Sequence, residues 1–273
     1  MGKYEICSVQ GDTFEMDYIK FGTGKKPFVI IPGLSLRSIL FSASTIATTY
    51  STFSEDYTIY VFDRKREIEP NYSIKDMAMD TANAMKILGI KDAYMLGTSQ
   101  GGMICQYIAI LYPELISAMV LGSTLCRAND TSKKVISSWV SYGEKRDVQG
   151  LNRSIFNNIY SEEHLEAHSR AFELIENDGT EKEMERFVIL AKACLDFDCY
   201  NSLNKIHCPV FVIGDNNDKV VTAEASVEIA EKLNCQLYMY QGYSHAVYDE
   251  ALDYRDRIWE FFHHTNENNC HRD

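Results

Sequence analysis

The chain has 273 residues, of which 45% are hydrophobic and 24% charged. That apolar fraction supplies a sizeable core and excludes the disordered and fibrous classes. The 27 Lys+Arg against 39 Asp+Glu give a formal net charge of −12, with no Lys/Arg block and no zinc-finger spacing. Nucleic acid and anionic membrane are both repelled, so neither is expected as a partner.

The opening segment carries Glu5, Asp12, Glu15 and Asp17 where an export signal needs an apolar run. No window approaches the ~18 uninterrupted apolar residues of a membrane span. The cysteines (Cys7, Cys105, Cys126, Cys194, Cys199, Cys208, Cys235 and Cys270) are scattered without a CxxC pair. They read as reduced, mostly buried thiols in a cytoplasmic protein.

Tyr4–Val9 and Phe14–Phe21, on either side of Gly11-Asp12, predict an antiparallel hairpin. Six short, nearly continuous apolar runs follow: Pro27–Gly33, Tyr57–Asp63, Ala93–Ser99, Ser117–Ser123, Pro209–Asp215 and Gln236–Gly242. Strands buried on both faces have this composition, which points to a parallel sheet covered by helices. Ser73-x-x-Asp76 opens a helix whose Ile74, Met77, Ala78, Thr81, Met85 and Leu88 share one face. A second helix, Gln100–Leu111, ends before Pro113. Thr222–Leu233 and Asp249–Phe262 supply the last two crossovers. The expected class is α/β: an eight-stranded, mostly parallel sheet with an antiparallel N-terminal hairpin and helices on both faces.

Residues 124–208 break this rhythm. They hold no convincing strand and far exceed the usual connection of about 2–6 residues. Helical spacing runs through Ser132–Arg146, Leu151–Ile159, Glu162–Glu176 and Thr180–Phe197. The expected division is a core of residues 1–123 and 206–273 with a helical cap, 124–205, inserted after the sixth strand. Most of the cap aromatics (Trp139, Tyr142, Phe156, Tyr160, Phe172, Phe187, Phe197 and Tyr200) read as packing within the cap. Its glutamate-rich helices read as a solvated acidic face.

Gly97-Thr98-Ser99-Gln100-Gly101 fits G-x-S-x-G between an apolar strand and an amphipathic helix, the context in which the motif forms a sharp turn with an exposed serine hydroxyl. Glycine at each end removes Cβ atoms that would clash in so tight a turn. The serine also meets a helix N-terminus, where unpaired N–H groups favour developing negative charge. Ser99 is therefore the expected nucleophile.

A serine hydroxyl needs a base held by a carboxylate. His263, His264 and His271 belong to a polar tail, His164 and His168 to the insertion, and His207 precedes a strand. His245, in Gly242-Tyr243-Ser244-His245-Ala246, lies between the last strand and the last helix, on the sheet edge where Ser99 emerges. Asp215 and Asp218 both follow the Pro209 strand on that edge. Asp218 lies farther out and has the better reach to His245, whereas Asp215 suits turn hydrogen bonds. Asp63-Arg64, at the end of another strand, reads as an architectural turn, and Gly102 as a packing glycine.

Together these residues resemble the α/β-hydrolase fold superfamily over essentially the whole chain, in particular its compact, helical-capped branch of esterases, lactonases, proline iminopeptidase-like enzymes and carbon–carbon hydrolases. Ile30-Ile31-Pro32-Gly33-Leu34, Val61-Phe62-Asp63-Arg64, the stretch from Gly97 to Ile116, the Gly214–Asp218 loop and Gly-Tyr-Ser-His-Ala carry the likeness. The resemblance implies an oxyanion hole made by the backbone N–H groups of Leu34 and Gln100. Many members have His-Gly where this chain has Pro32-Gly33, which removes a loop-ordering side chain but not the amide.

The expected activity is hydrolysis of a small to medium ester, thioester or lactone through an acyl-enzyme. The alternatives are carbon–carbon hydrolysis or acyl transfer on the same residues, or ligand binding with little turnover. A small-molecule substrate beneath the cap is the expected partner, and nothing in the sequence opposes a homo-oligomer. No metal or cofactor is expected: no His/Cys cluster has ligand spacing, and Gly22-Thr23-Gly24 lacks the context of a dinucleotide fingerprint.

Overall fold

The computed structural model describes residues 3–270. The side chain of Cys270 and all of His271, read above as a thiol and a tail histidine, lie outside what is described. Eight strands form one sheet in the order β1-β2-β4-β3-β5-β6-β7-β8. They are β1 (Tyr4–Gln10), β2 (Glu15–Phe21), β3 (Lys26–Ile31), β4 (Tyr57–Lys65), β5 (Ala93–Thr98), β6 (Ile116–Gly122), β7 (Val210–Asp215) and β8 (Gln236–Tyr240). The hairpin pairs Gln10 with Glu15, and β2 also meets β4 antiparallel. From β4 to β8 all pairings are parallel. The expected fold class is the observed one.

Side chains alternate between two cores because strand residues alternate faces. Val29 and Ile31 join one core with Met77, Ile104 and Ile229. Phe28 and Ile30 join the other with Ala43, Tyr254 and Phe262. The helices divide accordingly. On the second face lie α1 (Ala43–Thr49) and, at the chain's end, Tyr254–Cys270. On the first lie α2 (Ile74–Ile87), α3 (Gln100–Leu111) and the helix Ala223–Leu233. Helix α2 opens with the expected capping box: the Ser73 hydroxyl accepts from the Asp76 N–H, and the Asp76 carboxylate accepts from the Ser73 N–H.

Between β6 and β7 come α4 (Asp130–Glu144), α5 (Val148–Ile159), α6 (Glu162–Ala167), α7 (Ser169–Ile175) and α8 (Glu181–Leu195), followed by α9 (Ala223–Leu233), α10 (Val247–Glu250) and α11 (Tyr254–Cys270) in the rest of the chain. Ile136, Trp139, Val140 and Gly143 line one face of α4 and are buried. Gly143 lets α8 approach: a Cβ there would lie 2.5 Å from a Val188 methyl. The chain enters and leaves this insertion side by side, with Ala128 N–H donating to Phe197 O and Cys199 N–H to Cys126 O, both at 2.8 Å.

Three expectations need correction. Glu162–Glu176 is two helices, because His168, at φ −116° and ψ 16°, leaves helical geometry between α6 and α7. Asp249–Phe262 is likewise interrupted: Ala251 is extended and fully buried, so α10 ends before α11 begins. Residues 39–53, for which no element was anticipated, form α1 between two 3-10 turns. Ile39, Ala43, Ala47 and Phe53 are buried there and Leu40, Ile46 and Tyr50 pack partly buried against the same core; that spacing is helical, but it is interspersed with Ser and Thr, which are weak helix formers.

Arg186 of α8 fastens the insertion to β4, donating to the carbonyls of Arg64 (3.0 Å), Lys65 (2.6 Å) and Arg66 (3.1 Å). Hydrogen bonds from a charged donor contribute about 1.5–3 kcal/mol each when well shielded, so Arg186→Met is expected to cost about 2 kcal/mol. Urea unfolding checks this, and an unchanged midpoint would show that the insertion is held elsewhere.

Candidate active site

Strand β5 delivers Ser99 and α3 leaves from it. The serine has φ 52° and ψ −119°, a conformation that L-residues avoid unless the surroundings impose it. The surroundings do. The Ser99 N–H donates to Gly122 O at 2.9 Å, and the Thr124 hydroxyl donates to Ser99 O at 2.7 Å. A Cβ on Gly97 would fall 2.6 Å from both Cys105 Sγ and Gly101 O, and one on Gly101 would fall 1.8 Å from Ile31 O. Gly102 packs against the Thr124 side chain, where a Cβ would stand 2.6 Å away. The turn exists because these positions have no side chain.

His245 meets the serine, with its Nε2 3.0 Å from Ser99 Oγ. Its Nδ1 lies 2.9 Å and 3.1 Å from the two oxygens of Asp218. The imidazole is 3% exposed, and its loop is tied to α5. The Ala246 N–H donates to Ile159 O at 2.6 Å, and the Ser244 hydroxyl reaches Asn158 O and Asn217 O at 3.4 Å.

Burial alone would push the Asp218 carboxyl up. The adjacent His245 and the N–H groups of Val221 and Val220, at 2.9 and 2.8 Å from Oδ1, outweigh burial and hold its pKa below the ordinary range. Asp215 does something different. Its oxygens accept from the N–H groups of Asn217 (2.7 Å) and Tyr243 (3.3 Å), joining the β7 and β8 loops, and burial raises its pKa. The carboxylate that meets His245 is therefore Asp218.

The loop after β3 runs against the serine: a Cβ on Gly33 would lie 3.2 Å from Ser99 Cβ. Neither the Leu34 N–H nor the Gln100 N–H donates a hydrogen bond among the described residues. The structure thus brings Ser99, Asp218 and His245 together as a hydrogen-bonded chain, with Gln100 next to the serine in sequence and Leu34 following the Gly33 that approaches it. Two side chains escaped the sequence reading. Arg64 is buried and hydrogen-bonded to Gln100, and the Gln100 side chain itself reaches into α8. The adjacency of Asp63 and Arg64 gave no sign of either.

Trp139, Phe187 and Phe197 pack in the core, while Phe156, Tyr160 and Phe172 cluster with ring centroids 4.8 and 5.2 Å apart. Glu162, Glu163, Glu166, Glu173, Glu181 and Glu185 are exposed. Among the described residues no group of three or more His, Cys, Asp or Glu is arranged to hold a metal, and no helix is long and apolar enough to cross a membrane.

This fold, with a strained serine at a strand–helix turn, defines a class, and comparison with known proteins agrees. A family model described as "alpha/beta hydrolase fold" matches residues 26–252; the chain belongs to that family. It is 26% identical over 217 residues to the "Putative carbamate hydrolase RutD" of Pseudomonas savastanoi pv. phaseolicola, covering 73% of this chain and 81% of that protein. It is 21% identical over 216 residues to "3-oxoadipate enol-lactonase 2" of Acinetobacter baylyi, covering 76% and 77%. Among solved structures, MGS-M2, an alpha/beta hydrolase enzyme from a Medee basin deep-sea metagenome library, superposes with a TM-score of 0.84 at 20% identity, covering 94% of this chain and 97% of that one.

Two outcomes are expected from the geometry. Gly101→Ala forces a methyl into the Ile31 carbonyl and should destabilise the fold by about 1–3 kcal/mol, as overpacking does; wild-type stability by urea unfolding would contradict the contact. The Asp218 carboxylate, with its depressed native pKa, stabilises the fold fully above its ordinary pKa of about 4 and loses that contribution as pH falls through the lower native value. The stability gap between wild type and Asp218→Asn should therefore close on acidification, and a gap independent of pH would contradict this.

Proposed function

We propose that the protein is a serine hydrolase that cleaves a small to medium carboxylic ester, thioester or lactone through an acyl-enzyme. The observation that carries this reading is the unbroken chain from Ser99 Oγ through His245 to Asp218 at 3.0 and 2.9 Å. His245 Nε2 takes the hydroxyl proton as Ser99 Oγ bonds to the carbonyl carbon, and the carbonyl π pair moves onto oxygen. The Leu34 and Gln100 N–H groups then stabilise that oxyanion. Collapse expels the alkoxide or thiolate, which takes the proton from His245. Water, deprotonated by His245, repeats the sequence on the acyl-enzyme and frees Ser99. Asp218 holds the imidazole tautomer and stabilises its protonated form.

The insertion, residues 124–205, acts in this reading as the cap over the substrate. Its α8 touches Gln100 through Leu190 O, and its α5 touches the His245 loop through Ile159 O. The names of the two relatives, a carbamate hydrolase and an enol-lactonase, both denote a carbonyl carbon bearing a heteroatom leaving group, which supports this bond class.

Turnover of a panel of p-nitrophenyl acyl esters tests the reading. Ser99→Ala should abolish it while the protein stays folded. Asp218→Asn should lower kcat by up to about 10⁴-fold, the cost of a wrong imidazole tautomer. Asp215→Asn should fall far short of that loss. Retained turnover in Ser99→Ala would sink the proposal, and the reverse order of the two aspartates would move the orienting acid to Asp215.

A further inference from the structure

Arg64, the penultimate residue of β4, is buried, at 6% exposure. Its acidic neighbour is occupied elsewhere: the Asp63 carboxylate accepts from the Arg64 backbone N–H at 2.7 Å and lies 3.7 Å from Arg186. The guanidinium instead faces neutral acceptors. Nη2 donates to Pro32 O at 2.7 Å and to Gln100 Oε1 at 3.1 Å, and Nε donates to the same Gln100 oxygen at 3.3 Å. A buried cation without a partnering carboxylate is costly, and an apolar side chain of similar volume would serve a purely architectural purpose at lower cost.

The two acceptors share one feature. Pro32 precedes Gly33-Leu34, and Gln100 follows Ser99, so each belongs to one of the two segments that meet at the serine and whose Leu34 and Gln100 amides donate no hydrogen bond among the described residues. The fork of a guanidinium can hold both at once, which the single nitrogen of lysine does less rigidly. Gln100 completes the bridge: its Nε2 donates to Leu190 O of α8 at 2.8 Å and lies 3.1 Å from Cys194 Sγ. The side chain is 1% exposed, so these contacts fix it.

We propose that Arg64 is a positioning residue that, by gripping Pro32 O and the Gln100 side chain together, sets the separation of the Leu34 and Gln100 amides and so the geometry of the oxyanion site. The inference rests on the hydrolase reading above. Oxyanion donors act at about 2.7–3.1 Å from the charge that develops in the transition state and are less demanding of the ground-state carbonyl. A loosened pair should therefore lower kcat and leave KM nearly unchanged.

Arg64→Lys and Gln100→Met test this, the second keeping the backbone amide while removing the anchor; Phe262→Leu, which opens space where α11 packs on Phe28, Tyr57 and Tyr94 near the starts of β3, β4 and β5 and touches neither segment, is the control. Two readouts are used: turnover of p-nitrophenyl acetate and inhibition by an alkyl trifluoromethyl ketone. On the ketone Ser99 Oγ adds to the carbonyl carbon, its proton passes to His245 and the carbonyl oxygen becomes an oxyanion, so Ki reports the site directly. Both test variants should lose about 10–100-fold in kcat, part of the 10²–10³ for a whole donor, with Ki rising in proportion. Phe262→Leu should lose stability but keep kcat and Ki. A loss confined to KM, an unchanged Ki, or activity that merely follows the folded fraction in all three variants would overturn the proposal. Should Arg64→Lys fail to fold, Gln100→Met decides by the same criteria. Wild type without turnover would remove the hydrolase reading and this inference together; active wild type with unaltered variants would remove this inference alone.

Discussion

The backbone of Ser99 is the constraint on which the site depends. Its φ of 52° and ψ of −119° place it outside the regions that non-glycine residues favour, at a cost of about 1–3 kcal/mol. That strain persists because the turn has no room to relax. The carbonyls of Ile31 and Pro32 sit where a Gly101 side chain would go, and Thr124 occupies the space above Gly102. A central parallel sheet, buried on both faces by two apolar cores, is rigid enough to hold such a turn.

Topology does the rest. Parallel strands β3, β5, β7 and β8 all end on one edge, so the loops that carry Leu34, Ser99, Asp218 and His245 converge although Leu34 and His245 are more than two hundred residues apart in sequence. The insertion is bound to that edge on both sides of the serine, through Gln100 and Leu190 on one and Ala246 and Ile159 on the other. Movement of α5 or α8 would therefore be felt by the imidazole loop or by the Gln100 side chain.

Most of this arrangement could be read from the sequence because strong local signals mark it. Continuous apolar runs marked six strands, the segments on either side of Gly11-Asp12 marked the other two as a hairpin, and G-x-S-x-G between strand and helix marked Ser99. The choice of Asp218 over Asp215 followed from reach along the β7 loop, and the hydrogen bonds agree with it. What stayed hidden was long-range or weakly patterned. Residues 39–53 space their apolar positions as a helix does, but Ser and Thr, weak helix formers, fill the positions between and masked the period. The breaks at His168 and Ala251 come from backbone geometry that no proline or glycine announces. Arg64 looked like half of a turn because its partners, Pro32 and Gln100, lie 32 and 36 residues away.

The proposed chemistry needs an activated serine at position 99, and a fluorophosphonate probe read by intact mass reports that state directly. One phosphonyl adduct is expected on wild type and none on Ser99→Ala. A folded wild type that takes no label, or a label that persists in Ser99→Ala, would contradict that chemistry.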